Sequence, residues 1–240
     1  MPRYFIEVSY KGTNYSGFQV QDNANSVQAE IEKALEIFYK EKFELTGSSR
    51  TDAGVHALQN FFHVDTELTV NDDAYNLNAI LPWDIVIKKI FKVADNAHCR
   101  FDATGREYHY HIYRQKNPFL QDVAFYIPYS IDLELMQLAA KEIMKHTDFT
   151  SFSKRNTQVK SFQCNIYQSE WVQDVDCFIY KVKANRFLRG MVKGLVGTML
   201  LAGKKKITLE EFKSIILSKD SVKADFSVPS RGLFLNKVSF

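Results

Sequence analysis

Tyr4-Phe5-Ile6-Glu7-Val8-Ser9-Tyr10, near the start of a 240-residue chain, alternates with a period of two and puts Tyr4, Ile6, Val8 and Tyr10 on one face. That is the pattern of a strand with one buried side. A loop punctuated by Gly12 and Gly17 follows. The next segment, about 26–40, reads as a helix because Val27, Ile31, Leu35 and Phe38 recur at helical spacing. Asn25 with Gln28 has the form of a capping box for it. Residues 46–56 then read as an irregular loop, 57–64 as a strand, 74–80 as a short helix and 85–93 as another strand.

The same order begins again at Glu107. Residues 107–113 alternate with Tyr108, Tyr110 and Ile112 on one face, and a helix over about 132–145 carries Leu135, Leu138, Ala139 and Ile143 as its apolar stripe. Residues 161–171 and 178–184 read as an antiparallel pair joined by the acidic turn Asp174-Val175-Asp176. A glycine-rich helix over about 186–202, a helix over 208–218 and a strand over 233–239 close the pattern. Strand, loop, helix, loop, strand thus occurs in two α+β halves, 1–103 and 104–240. No Pro/Gly/Ser-rich linker separates them, so their sheets are expected to be fused.

Composition excludes several classes. With 45% hydrophobic and 14% aromatic residues, the chain has too much apolar surface to stay disordered. Only 10 glycines and 5 prolines, without a repeat, exclude a collagen-like chain. The most apolar stretch, 191–202, contains Lys193 and falls short of the roughly 20 residues a bilayer needs. The first residues run straight into a strand with no apolar leader, so export is not expected. Three cysteines (Cys99, Cys164, Cys177), widely spaced and without a CxxC, argue against a disulfide framework and a zinc ribbon and fit a reducing, cytoplasmic setting. A net charge of +3 is a weak pointer to an anionic partner unless the charge is segregated.

Two segments carry candidate chemistry. In Thr46-Gly47-Ser48-Ser49-Arg50-Thr51-Asp52-Ala53-Gly54-Val55-His56, small residues let the backbone approach a ligand while an arginine, an aspartate and a histidine lie close together. An Asp in such a loop serves a turn or a helix cap in the ordinary case. In the functional case it is a nucleophile or base, with Arg50 supplying charge or inserting into a substrate. In the second segment a helical wheel puts Arg186, Arg189, Gly190, Lys193 and Gly197 on one face, a surface that something anionic, or another backbone, could approach closely. The ordinary alternative is a solvated helix edge. Three glycines weaken that alternative, because each costs a helix about 1 kcal/mol relative to alanine. His109 and His111 have the spacing of a metal pair but no third ligand at a diagnostic distance, so no metal is expected. Lys204-Lys205-Lys206 suits the helix C-terminus or a phosphate. No P-loop, GxGxxG, GxSxG or HExxH motif is present.

Taken in order, these segments resemble the TruA family of tRNA pseudouridine synthases. The resemblance runs through Tyr10-Lys11-Gly12-Thr13, Gly17-Phe18-Gln19, Ser26-Val27-Gln28 and, most specifically, Arg50-Thr51-Asp52-Ala53-Gly54-Val55-His56-Ala57. It continues through Arg106-Glu107-Tyr108-His109-Tyr110, Asp148-Phe149-Thr150-Ser151-Phe152, the stretch from Asn185 to Lys193, and Gly232-Leu233-Phe234-Leu235.

The resemblance implies two halves like RNA-recognition motifs, with antiparallel sheets fused into one extended platform, helices on one side and an active-site cleft between the halves. It implies a cytoplasmic homodimer that grips tRNA, needs no cofactor, and isomerises uridine to pseudouridine at anticodon stem-loop positions 38 to 40. The alternative is an RNA-binding protein of the same fold without catalysis. By resemblance, Asp52 is the catalytic carboxylate and Tyr108 the ring that stacks the target base. Lys193 stands where the family has arginine, losing the bidentate fork but keeping the charge that holds a carboxylate ionised and oriented. Arg50 matches the residue that helps displace the target nucleotide. Arg186, Arg189, Lys204 and Lys205 are expected phosphate contacts. Ser49 departs from the family's glycine before Arg-Thr-Asp.

Overall fold

A computed structural model describes residues 1–70, 73–155 and 159–240. Along the chain run β1 (Arg3–Tyr10), α1 (Val27–Tyr39), β2 (Thr46–Gly47), β3 (His56–Asp65), α2 (Ala74–Ile80), β4 (Ile85–Val93) and β5 (Gly105–Tyr113). After them come β6 (Phe125–Tyr126), α3 (Leu133–Ile143), β7 (Ile166–Gln173), β8 (Phe178–Ala184), α4 (Met191–Gly203), α5 (Leu209–Leu217) and β9 (Leu233–Ser239). The class is α+β, as the alternating periods imply. Two compact units emerge: residues 1–104 with 234–240, and residues 105–233.

In the first unit β1 is central. It pairs antiparallel with β3, from Arg3↔Asp65 to Tyr10↔Ala57, and with β4, from Arg3↔Val93 to Tyr10↔Ile85. The even-numbered face of β1 is apolar as the alternation requires, and Phe18 stacks on Phe62 at 4.4 Å beneath it. The odd face is not simply wet. Phe5 is buried there, with its ring 5.5 Å from Phe240 and 5.9 Å from Phe91. Arg3 closes that end of the strand pair with two 2.7 Å bonds to the Asp65 carboxylate. The side-chain bond from Arg3 holds that carboxyl below its ordinary range.

Helix α1 begins one residue later than the Asn25/Gln28 pattern implies. Ser26 is the cap, its hydroxyl accepting from the Ala29 N–H at 3.2 Å, an interaction worth about 1 kcal/mol. Gln28 is engaged elsewhere, donating to Glu32 at 2.8 Å and to the Leu45 carbonyl at 2.9 Å.

Residues 234–240, placed by sequence in the second half, pack with the first unit. β9 runs parallel to β3 at His56↔Phe234 and Ala57↔Leu235, and the Val238 N–H donates to Gln59 at 3.1 Å. This pairing spans a long sequence separation, which a local reading of hydrophobic period does not reach.

In the second unit β8 pairs antiparallel with β5 and with β7, and β6 adds a short parallel stretch to β5. Strand β7 starts at Ile166, not Ser161. Tyr110, Tyr180 and Trp171 line up across the three strands. Tyr180 and Ser169 share a buried 2.8 Å hydrogen bond, and the Trp171 indole donates to the Met199 sulfur of α4 at 3.4 Å. Every residue of α4 except Lys193 and Leu201 is buried, the condition of a helix that is apolar all round.

The helix expected over 186–202 starts only at Met191. Gly190 precedes it with φ 74°, a left-handed conformation that cannot continue a helix backward. The preceding turn is held by the Asn185 side chain, which accepts from the N–H groups of Arg186 (2.9 Å) and Asn165 (2.8 Å). Arg186 and Arg189 are therefore off the helix, and the basic face drawn with them does not exist.

Candidate active site

The segment 46–56 is tied to its surroundings by several hydrogen bonds. Along it Ser48, Ser49 and Thr51 are buried, while Arg50 and Asp52 are exposed. The Ser48 hydroxyl has no hydrogen-bond partner, but the groups on either side of Arg50 are bonded. The Thr51 hydroxyl lies 2.8 Å from the Tyr10 hydroxyl. The Asn60 amide donates to the Ser49 carbonyl at 2.8 Å and to the Tyr10 oxygen at 3.3 Å. The Thr51 carbonyl accepts from Phe18 N–H at 3.1 Å, and Asp52 forms a bridge with Gly17. A turn then closes from the Val55 N–H to the Asp52 carbonyl at 3.1 Å.

Two glycines make this packing possible. A Cβ on Gly12 would lie 2.0 Å from the Val55 carbonyl oxygen, and Gly54 turns the chain at φ 75°. The Gly12 N–H donates to His56 Nδ1 at 3.0 Å, so His56 has a structural partner and is buried. From Asp84, a carboxylate bonds Asn14 at 2.9 Å and Tyr15 at 2.5 Å. Burial first, then that bond, push the Tyr15 hydroxyl well above its ordinary range. Asp52 thus stands out from a hydrogen-bonded support.

The second unit holds the other expected residues. Tyr108 and Tyr110 share one face of β5, and the structure separates them where the sequence does not. Tyr110 is fully buried and donates to the Pro229 carbonyl at 2.7 Å. Tyr108 is half-buried, with the Phe187 ring edge-on at 5.0 Å. An aromatic ring supported by another ring and partly open suits stacking. Lys193 lies in the first turn of α4 and reaches the Ser230 hydroxyl at 3.4 Å.

Two glycines of α4 seat residues 225 and 226 of the same chain. A Cβ on Gly197 would lie 2.1 Å from the Asp225 carbonyl oxygen, and one on Gly194 would lie 2.7 Å from the Phe226 ring. Thr198 completes the seat, donating to Gly194 O at 2.8 Å and accepting from Asp225 N–H at 3.0 Å. At Gly197 another backbone makes the close approach, one of the two readings the sequence offers.

Among the expected phosphate contacts, Arg189 is exposed and Arg186 half-buried. Lys204 caps α4, and Lys205 forms an ion pair with Asp132 at 3.2 Å. Both side chains of that pair keep solvent contact, so its attraction is weak.

One side-chain group among the described residues has ligand atoms close enough for a metal: His63, His98 and Cys99, all within 4.8 Å of one another. Their chemistry is already occupied. His98 Nδ1 accepts from the N–H groups of Arg100 (3.1 Å) and Phe101 (3.4 Å), and the Cys99 thiol donates to the Thr46 carbonyl at 3.2 Å. His63 Nδ1 lies 3.2 Å from the Cys99 sulfur, so each of the three side chains already has a hydrogen-bond partner. His109 bonds Glu107 at 2.7 Å and joins no such group.

Comparison with known proteins addresses the whole chain. A family model described as tRNA pseudouridine synthase matches residues 6–102 and 139–240. The chain belongs to this family. Full-length relatives agree. It is 42% identical to tRNA pseudouridine synthase A of Parabacteroides distasonis over all of this chain and 96% of the relative. It is likewise 42% identical to that of Bacteroides thetaiotaomicron over all of this chain and 91% of the relative. The corresponding figures for Staphylococcus aureus strain JH1 are 37% identity, 98% of this chain and 90% of the relative. The family's matched segments include the Asp52 loop, α4 and β9.

Residues that sequence reasoning did not single out are Tyr10 and Asn60. The signal was present: Asn60 interrupts an apolar strand in phase with Phe62 and Val64, where a polar side chain has to be buried.

Proposed function

We propose that this protein isomerises uridine to pseudouridine in tRNA, at positions 38 to 40 of the anticodon stem-loop, with Asp52 as the catalytic carboxylate. The observation that carries the reading is the Arg50-Thr51-Asp52 segment. It has the family's most specific sequence, and it presents both charged side chains outward from a bonded support.

The reaction breaks the N1–C1′ bond, joins C5 to C1′, and moves the C5 proton to nitrogen. As an isomerisation it balances without an external oxidant or reductant. A carboxylate serves it either as nucleophile toward the sugar or as base toward a proton. The target uridine has to leave its stack, at a cost of a few kcal/mol. Arg50, exposed two residues from Asp52, has the reach and charge to occupy vacated space. Tyr108 supplies the stacking ring, and Lys193 the positive charge that the family pattern provides as arginine. Arg186, Arg189, Lys204 and Lys205 contribute phosphate attraction, which gives affinity without sequence selectivity.

We further take the working form to be a cytoplasmic homodimer that needs no cofactor. Among the described residues no helix is long and apolar enough to cross a membrane. A catalytically silent RNA-binding role gains no support from a chain that retains Asp52, Tyr108 and a cation at Lys193.

The test is carbodiimide labelling with primer extension on an unmodified tRNA transcript. Stops at uridines 38 to 40 with wild type and none with Asp52→Ala are expected. Binding without stops for the wild type would overturn the reading. Sedimentation at micromolar concentration showing a 27.8 kDa species would remove the dimer.

A further inference from the structure

We propose that Asn60 and Tyr10 are positioning residues for the reaction: through Ser49 and Thr51 they aim Arg50 and Asp52 outward. This rests on the reading of Asp52 as the catalytic carboxylate.

The argument starts from local geometry. Ser49 and Thr51 are buried while Arg50 and Asp52 are exposed, so bonds that hold the first two against the interior keep the other two turned away from it. Both pins come from one buried chain of hydrogen bonds. Asn60, fully buried on β3, donates one amide hydrogen to the Ser49 carbonyl (2.8 Å) and the other to the Tyr10 oxygen (3.3 Å). Tyr10, buried at the end of β1, shares a hydrogen bond with the Thr51 hydroxyl at 2.8 Å. The Asn60 carbonyl oxygen accepts from the Phe61 N–H at 2.9 Å, which fixes which way the amide faces. Asn60, Tyr10 and Thr51 thus form one connected run of buried hydrogen bonds.

The strands place these groups for the purpose. The pairing of β1 with β3 shifts register between Val8 and Tyr10, so Tyr10 sits opposite Ala57. The Tyr10 ring stays anchored on Phe18 at 5.7 Å. Tyr10 and Asn60 stand behind the loop, bonded to the residues that flank Arg50 and precede Asp52. A mutation away from the chemistry that misplaces a reacting group by about 1 Å can cost 100-fold in rate. The network is therefore expected to act on turnover and not on tRNA affinity.

Tyr10→Phe removes one oxygen and keeps the ring on Phe18. Thr51→Val removes the partner hydroxyl, and Thr51→Ser restores it. On the full chain, single-turnover pseudouridine formation, tRNA Kd and thermal midpoint are measured together. Tyr10→Phe and Thr51→Val are each expected to slow formation by about tenfold or more with Kd within twofold. The double variant is expected to be no slower than the worse single, because both cut the same chain of bonds. Thr51→Ser is expected to recover most of the rate. A wild-type rate in Tyr10→Phe, a rate loss matched by equal losses in Kd or thermal midpoint, or no recovery in Thr51→Ser would overturn the proposal.

Asp52→Asn serves as the separating control. If it keeps the wild-type rate, the reading of Asp52 fails. If it is inactive while Tyr10→Phe is not impaired, only the positioning role fails. Asn60→Ser is added as a probe of the first link, and Tyr10→Phe carries the test if that variant does not fold.

Discussion

The Asp52 loop and the stretch from Asn185 to Gly203 look alike in sequence: glycines, basic residues and small side chains close together. In the structure they use those glycines for opposite ends. Around Asp52, Gly12 and Gly54 let the backbone fold tightly so that charged side chains face outward. In α4, Gly194 and Gly197 let residues 225–226 lie against a helix that is almost entirely buried. Glycine beside charge marks close approach, but sequence does not say what approaches. The answer depends on whether the neighbouring polar groups bond inward, as Thr51 does, or whether a distant segment fills the space.

The largest effect that sharpens this contrast is at Asp52. Asp52→Asn is expected to lower pseudouridine formation by more than 1000-fold, with tRNA Kd and thermal midpoint near wild type, as for an exposed group that acts only in chemistry. A fall in thermal midpoint of similar standing to the rate loss would make the loop a structural element like α4.

Gly197→Ala should show the reverse. The added Cβ would meet the Asp225 carbonyl at 2.1 Å, and overpacking against backbone costs about 3 kcal/mol. Urea unfolding is expected to register that loss. An unchanged midpoint would mean that the glycine serves an external ligand after all.

A pH effect belongs to the first unit. Burial, with Arg3 and then His98 nearby, lowers the His63 pKa to about 4 against an ordinary 6.5. The unfolded chain therefore binds the proton more readily. The stabilising contribution is fully present above pH 6.5 and is lost as pH falls toward 4, by at most about 3 kcal/mol. His63→Gln is expected to flatten the unfolding free energy across that window. A slope unchanged in the variant would assign the effect to other groups.

The smallest effect is at Ser48. Its hydroxyl is the one buried side-chain polar atom among the described residues without a hydrogen-bond partner. Leaving such a group unpaired costs about 1–3 kcal/mol unless water reaches it. Ser48→Ala is expected to leave activity unchanged and to hold or slightly raise the thermal midpoint. A drop of several degrees would reveal a bonded water that the loop depends on.

Much of the fold is legible because it is written in side-chain period. Residues 4–10 and 107–113 alternate, and α1 repeats at helical spacing, so their strands and helix follow directly. The start of α4 was hidden because Phe187 and Leu188 continue its apolar pattern, whereas the break lies in the backbone of Gly190. The allegiance of β9 was hidden because its partner, β3, is far away in sequence. At the candidate site, Asp52 and Tyr108 are visible through resemblance. The support beneath Asp52 is not, because Tyr10 and Asn60 read as ordinary strand residues until their hydrogen bonds are seen.

The placement of residues 234–240 in the first unit has a consequence for biosynthesis. β3 emerges early from the ribosome, but its parallel neighbour follows only after residues 105–233 have been made. At ordinary elongation rates that interval is on the order of ten seconds. Throughout it β2 covers only the far end of that edge of β3, at Phe62 and His63, while the end that β9 will take awaits its strand and the Gln59 side chain awaits Val238. An unpaired strand edge is a template for wrong pairing. The nascent chain is thus most vulnerable to misassociation between these two moments, and a chaperone that shields β3 would matter most then.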